Sequence, residues 1–216
     1  MTFDFARARE NMVENDVRTN DVTDPRLIAA LRAIPREEFV SSENRDLAYA
    51  GVCVPVGLER YLMDARTFSK LVQAAALDGS ERVLDVGCAT GYASAVFSRL
   101  ARAVVALESE ESFAKVAETA LARVSNVRVV RGDLRKGAPA QGPFDVIFVN
   151  GGVEVLPDEL TQQLSDGGRL VCVSLSGPVG RGRIYERDGA VVSWRNLFDA
   201  RLPILPGFAK PLSFVF

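Results

Sequence analysis

The sequence predicts an α/β fold: a mostly parallel, Rossmann-like sheet covered on both faces, preceded by a helical extension and followed by a β-hairpin. Three observations carry this. From residue 82 to residue 175, short and nearly continuous apolar runs alternate with helical stretches, the pattern of parallel strands buried on both sides. Within residues 1–50 the apolar positions instead recur at helical spacing. Near the end, Asp188-Gly189 lies between two extended runs, a hairpin signal.

Each element follows in order. Arg7 to Arg18 is polar, with Met12 and Val13 as its apolar points, and is expected to be helical. Thr23-Asp24-Pro25 is a helix start, with Asp24 or Thr23 as cap and Pro25 in the first turn. Leu27, Ile28, Leu31 and Ile34 continue at helical spacing, and Pro35 ends the helix. A second short helix is expected over about 36–49, a short strand and a loop over 51–65, and a helix over 66–77. Strands are expected over 82–86, 103–107, 127–130, 144–149 and 169–175. The helices between them fall over 92–100, 112–124 and 156–164, the last broken by Gly167-Gly168. Hairpin strands over 183–186 and 191–194 follow. The apolar, proline-rich tail 201–216 is expected to pack back on the body.

A length of 216 residues suits one domain, 1–216, with a helical extension and substrate-side loop in 1–78 and a sheet and hairpin in 79–216. Histidine is absent, which excludes nucleophilic sites that need an imidazole base and metal or haem sites that need an imidazole ligand. No metal site is expected. A net charge of −2 argues against a nucleic-acid partner. Cys53, Cys88 and Cys172 are widely separated and odd in number, as suits a reducing compartment. The charged N-terminus lacks an apolar signal core, and no run approaches the ~18 apolar residues of a membrane span. A cytoplasmic protein with no membrane partner is expected, a monomer with self-association left open.

The strongest motif is VLDVGCATGYAS, residues 83–94. It passes from strand through a glycine turn to helix. Gly87 allows the tight turn and close backbone approach, and Gly91 lets the helix pack close to the strand. Cys88 and Ala89 lie between them, with Ala89 at the middle position of a G-x-G-x-G pattern. Glu108, about 20 residues after the loop, is placed to accept both hydroxyls of a ribose. Gly132-Asp133, at the end of the third strand, is within reach of an adenine amino group. Three features at the carboxyl ends of consecutive strands mark one ligand crevice. Asp85, two residues before Gly87, is the discriminating residue. A carboxylate beside the loop suits a cationic cofactor better than a pyrophosphate, whose loop reads G-x-G-x-x-G after an apolar strand. S-adenosylmethionine, with its ammonium and sulfonium, is the expected cofactor.

The sequence resembles the protein-L-isoaspartate O-methyltransferase family over nearly its whole length. The likeness runs through Met12-Val13-Glu14 to Arg18, Thr23-Asp24-Pro25, Ile34-Pro35-Arg36-Glu37-Glu38-Phe39-Val40, Ala48-Tyr49 and Val54-Pro55-Val56-Gly57. It continues in the glycine loop, in GPFDVIFVNGGV as the fourth strand and in LSDGGRLVCV as the fifth. The N-terminal match is the more family-specific part. The resemblance implies a class I methyltransferase fold with a seven-stranded sheet, S-adenosylmethionine as methyl donor, and as acceptor the carboxylate of an isoaspartyl residue in a damaged protein or peptide.

The departures lie on the acceptor side. Met63 occupies the position of the family's active-site serine and Ala65 that of a proline, and the end of the fourth strand is Asn150-Gly151-Gly152. A thioether cannot donate the hydrogen bond that a hydroxyl can. An ionised carboxylate needs no general base, only placement near the donor, so the missing histidine is no obstacle. Arg60 and backbone amides are candidates to hold that carboxylate, although Arg60 also suits a plain surface charge. Asn150 is a candidate to hold a different acceptor or a simple turn-former. A methyltransferase with another acceptor, and a catalytically inactive module that binds S-adenosylmethionine or serves as a scaffold, stand as the alternatives.

Overall fold

The computed structural model describes residues 3–211. The chain begins with α1 (Phe5–Met12), continued by a π-helical stretch, Val13–Val17, and a 3₁₀ turn, Arg18–Asn20. Helix α2 (Pro25–Ala33) starts at Asp24, whose carboxylate accepts the amides of Arg26 at 2.8 Å and Leu27 at 3.3 Å, with Pro25 in the first turn.

The helix expected over 36–49 is not formed. Two 3₁₀ segments, Arg36–Phe39 and Ser42–Leu47, take its place. The cause is Arg36, which is buried to 1% exposure. Its guanidinium donates to the carbonyls of Ala48 at 2.8 Å and Met63 at 2.7 Å and lies over the Tyr92 ring. Meeting the donors of a buried cation folds this segment around the side chain, and local helix propensity yields to it.

Residues 51–65 carry more order than expected, a two-stranded antiparallel pair of β1 (Val54–Gly57) and β2 (Arg60–Leu62). The turn between them places Leu58 and Glu59 at φ 46° and 56°, the left-handed region that two-residue hairpin turns require. Helix α3 (Ala65–Ala74) follows, its first turn capped by Asp64, which accepts the Thr67 amide at 2.9 Å.

The alternating part of the chain forms β3 (Arg82–Val86), α4 (Tyr92–Phe97), β4 (Ala103–Glu108), α5 (Glu111–Ala120), β5 (Val127–Arg131), β6 (Phe144–Val153), α6 (Asp158–Thr161) and β7 (Leu164–Ser174). Strands β8 (Arg181–Asp188) and β9 (Val191–Asp199) complete one seven-stranded sheet of order β5-β4-β3-β6-β7-β8-β9. The first five strands in that order pair in parallel; β8 pairs antiparallel with both β7 and β9. The predicted hairpin is therefore present, with longer arms and its turn one residue on, at Gly189-Ala190, since Asp188 pairs with Val191.

The helix expected over 156–164 shrinks to the single turn of α6, and Gly167-Gly168 lies inside β7 instead of ending a helix. Phe144 pairs with Leu164 and Val146 with Arg169, so the β7 residues between Leu164 and Arg169 bulge out against Asp145 alone. Gly168 has no room for a side chain, since a Cβ there would stand 2.8 Å from the Ser165 carbonyl oxygen.

Alternate strand residues feed two hydrophobic clusters. Val83, Val104, Ala106, Val146 and Phe148 join Leu27, Phe68, Leu71 and Phe97 on one face, so the N-terminal extension, α3 and α4 share that core. Leu84, Val86, Leu107, Ile147 and Val149 face the other way, onto Leu134, Leu160, Leu205 and Phe208. The tail therefore packs back on the body, with Leu202 in the first cluster and Leu205 and Phe208 in the second; the part of that expectation covering 212–216 lies outside the described residues. Among the described residues no helix is long and apolar enough to cross a membrane.

Candidate active site

Strand β3 lies between β4 and β6 in the sheet, so the strand order reverses on its two sides. That makes the carboxyl end of β3 the switch point where open α/β sheets bind ligands. The chain leaves β3 through Gly87, at φ 78°, and enters α4 through Gly91, at φ 97°. The amides of Gly87 and Cys88 both donate to the Leu107 carbonyl, at 2.9 and 3.1 Å, which fixes the loop against β4. A side chain at Gly91 would meet Leu121 at 3.0 Å. Ala89, at φ 48°, adopts the left-handed conformation that a glycine would take at less cost. The Thr90 hydroxyl donates to the Phe39 carbonyl at 2.7 Å and ties the loop to the N-terminal extension.

Asp85 is fully buried. Its Oδ2 accepts the Ser94 hydroxyl at 2.6 Å, and its Oδ1 has no partner. Burial pushes its carboxyl up to about 7, against the opposing hydrogen bond from Ser94 and with the nearby negative charge of Glu108 adding to the rise. Cys88 is buried beside it, and burial holds its thiol well above the ordinary range.

Glu108 closes β4 with a carboxylate that is likewise fully buried. Its Oε2 accepts the Ala89 amide at 2.9 Å. Its Oε1 accepts the amides of Ser109 at 2.8 Å and Glu110 at 3.1 Å, and the Arg60 guanidinium at 3.0 Å. The reading of Arg60 as a surface charge is thus corrected: it is 3% exposed and forms a buried ion pair. It also donates to the Ser109 hydroxyl at 3.0 Å, while its Nε has no partner. The turn between β1 and β2 carries Arg60 inward over the end of β4.

Met63 and Asn150 meet at the same place. Both line, with Cys53, Arg60, Gly151 and Leu205, a void of about 10 Å³, room for a single water. Met63 is buried, Asn150 half-buried. Gly132 and Asp133 stand apart at the end of β5. Asp133 is exposed and caps a 3₁₀ turn by accepting the Arg135 amide at 2.9 Å. They border an open groove of about 420 Å³ with Ser109, Arg131, Pro206 and Gly207. The predicted residues thus fall into a closed group around Asp85, Gly87, Ala89, Glu108, Arg60, Met63 and Asn150, and an open rim at Gly132-Asp133. No group of three or more acidic or cysteine side chains poised to hold a metal occurs among the described residues.

Sequence reasoning missed Leu205. It is buried on the glycine loop, and a Cβ at Gly87 would stand 2.9 Å from its side chain. A Cβ at Gly151 would stand 2.8 Å from its Cβ, and one at Gly152 2.8 Å from the Leu202 carbonyl oxygen. The signal was the pair Gly151-Gly152 at a strand end together with an apolar tail that needs a place to pack.

A doubly wound sheet with a glycine turn and two buried acids at its switch point defines the class of nucleoside-cofactor methyltransferases, and comparison with known proteins gives the family. The profile of the protein-L-isoaspartate(D-aspartate) O-methyltransferase (PCMT) family matches residues 7–186. Protein-L-isoaspartate O-methyltransferase 1 of Rhodopseudomonas palustris (strain HaA2) is 38% identical over 185 residues, covering 85% of this chain and 74% of the relative. The protein-L-isoaspartate O-methyltransferase of Burkholderia pseudomallei (strain 668) is 38% identical over 177 residues, 81% of this chain and 53% of that one. The chain thus spans about half the length of some curated relatives and three quarters of others. A solved protein-L-isoaspartate O-methyltransferase superposes with a TM-score of 0.80 at 26% identity, over 92% of this chain and 66% of that one. A Plasmodium falciparum structure of the same class, in complex with S-adenosyl-L-homocysteine, superposes with a TM-score of 0.77 over 94% of this chain and 99% of that one, and at 15% identity speaks for the fold alone. The chain belongs to the protein-L-isoaspartate(D-aspartate) O-methyltransferase family, a family of S-adenosylmethionine-dependent O-methyltransferases.

In the closed arrangement, the residues leave that cofactor no room. A small-molecule site needs roughly 300 Å³ or more. The crevice beside Gly87 is filled by Leu205, and Glu108 Oε1 is taken up by Arg60 and the Ser109 and Glu110 amides, while Oε2 accepts the Ala89 amide alone.

Proposed function

We propose that the chain is an S-adenosylmethionine-dependent methyltransferase that esterifies the isoaspartyl carboxylate of damaged protein. The observation that carries this reading is Asp85, which keeps an unpartnered buried oxygen beside the glycine loop in a chain whose family match runs through both that loop and the N-terminal extension. An acceptor oxygen at that place suits a cationic group on a cofactor. An ionised acceptor needs no base, in keeping with a chain without histidine. Asp85, the loop from Gly87 through Cys88 and Ala89 to Gly91, Glu108 and Gly132-Asp133 are the proposed cofactor side. Met63 brings no hydroxyl to the acceptor side, and Arg60 is engaged by Glu108, which leaves Asn150 and backbone amides as the groups proposed to hold the acceptor carboxylate.

The chain acts as one domain in this reading, supported by the hydrophobic cluster that the N-terminal extension shares with the sheet. Three free cysteines support a reducing, cytoplasmic setting.

Transfer of labelled methyl from S-adenosylmethionine to an isoaspartyl peptide, with the matching aspartyl peptide as control, tests the acceptor. Base-labile label on the isoaspartyl peptide alone is expected. Label on components of a cell extract but on neither peptide would replace the acceptor and keep the methyltransferase.

A further inference from the structure

Resting on the cofactor assignment above, we propose that the chain closes its own cofactor crevice, with Leu205 and Arg60 as internal occupants, and that residues 203–207 form a strap whose displacement admits the cofactor. The strap lies between two fixed points, Leu202 and Phe208, both buried. Of the five residues between them only Leu205 is buried; Pro203, Ile204 and Gly207 are exposed. Two backbone hydrogen bonds hold the strap to the end of β6, Gly152 N–H to the Pro203 carbonyl at 2.8 Å and Leu205 N–H to the Gly152 carbonyl at 2.9 Å. A third, from Phe208 N–H to the Leu205 carbonyl at 2.9 Å, ties the strap to its own far anchor, so one side chain and two hydrogen bonds are all that join it to β6. Phe208 is fixed separately, its carbonyl accepting the amides of Glu154 and Val155 at 3.0 and 3.1 Å.

The closed state also leaves polar groups unmet on both sides of the crevice. Asp85 Oδ1 and Arg60 Nε are buried without partners, an arrangement that costs free energy wherever it persists. Arg60 covers Glu108, the carboxylate that a ribose would otherwise meet. Opening would bring solvent or cofactor to Asp85 and release Arg60 toward water together. Opening therefore breaks the Arg60–Glu108 pair and the hold of Leu205, and the contacts made by the bound cofactor must supply that difference.

Amide exchange by NMR on the full chain, with and without S-adenosylhomocysteine, tests this. Saturating ligand should quicken exchange at the Gly152 and Leu205 amides at least tenfold, while Glu154 and Val155 keep their protection as internal references. In calorimetry, Leu205→Ala, checked for folding by its melting curve, should bind the same ligand at least tenfold more tightly than the unmodified chain. If that variant does not fold, the exchange result on the unmodified chain decides. Binding with Gly152 and Leu205 as protected as before, or with unchanged affinity in a folded Leu205→Ala, overturns the closure and leaves the cofactor assignment standing. Absence of binding by both chains at millimolar ligand overturns the closure and the cofactor assignment together.

Discussion

Replacing Arg60 with alanine is expected to lower the unfolding free energy by about 3–5 kcal/mol, the range for breaking a buried ion pair from one side. The side chains of Arg60 and Glu108 are 2% and 0% exposed, so water cannot take over the role of the missing partner. Glu108 would keep three backbone amides, which places the loss toward the lower end. For a chain of this size the melting temperature should fall by roughly 6–15 °C. A double-mutant cycle with Glu108→Gln separates the pair from the packing of the arginine stem: once the carboxylate is neutral, removing the cation should cost much less. An exposed arginine would cost under about 0.5 kcal/mol, and urea unfolding of Arg60→Ala distinguishes the two outcomes.

Asp85 is expected to make stability depend on pH in the direction opposite to a salt-bridged carboxylate. Its carboxyl is raised from 3.8 to about 7 by burial, so the folded chain holds the proton more tightly than the unfolded chain. The stability it contributes is fully present below about pH 4 and is lost as the pH rises through about 7. The difference is roughly 2–4 kcal/mol. Asp85→Asn keeps the shape and removes the titration. In urea unfolding at pH 4 and pH 8, the variant should gain on the native chain by about that amount at pH 8. A constant difference between the two pH values would mean that Asp85 titrates as an exposed aspartate does. The same group that destabilises the chain at neutral pH is the one proposed to meet the cofactor, a trade commonly found where a buried charge serves a site.

Much of the sheet was legible because its residues answer to local rules. The runs at 82–86 and 103–107 are apolar enough to be buried on both faces, and Asp188-Gly189 marks its hairpin by turn chemistry alone. The glycine loop was legible for the same reason, since Gly87 and Gly91 both take positive φ. What failed was set by contacts between distant parts of the chain. The helix expected over 36–49 gave way to a buried Arg36 that recruits the carbonyls of Ala48 and Met63. Arg60 gave no sign of burial in its own surroundings, because its partner Glu108 is 48 residues away. The tail's apolar character was plain, but not that one leucine would settle on the cofactor loop. Asn150, which suited a simple turn-former, lies inside β6, and the Gly151-Gly152 pair after it is the floor on which Leu202 and Leu205 rest.

The crevice at the end of β3 is proposed to be the cofactor site. Calorimetric titration of the unmodified chain with S-adenosylhomocysteine, alongside Asp85→Ala, tests it most directly. Saturable one-to-one binding is expected, weakened at least tenfold by Asp85→Ala, about 1.4 kcal/mol. No heat of binding and no ligand-dependent rise in melting temperature at millimolar concentration would contradict it.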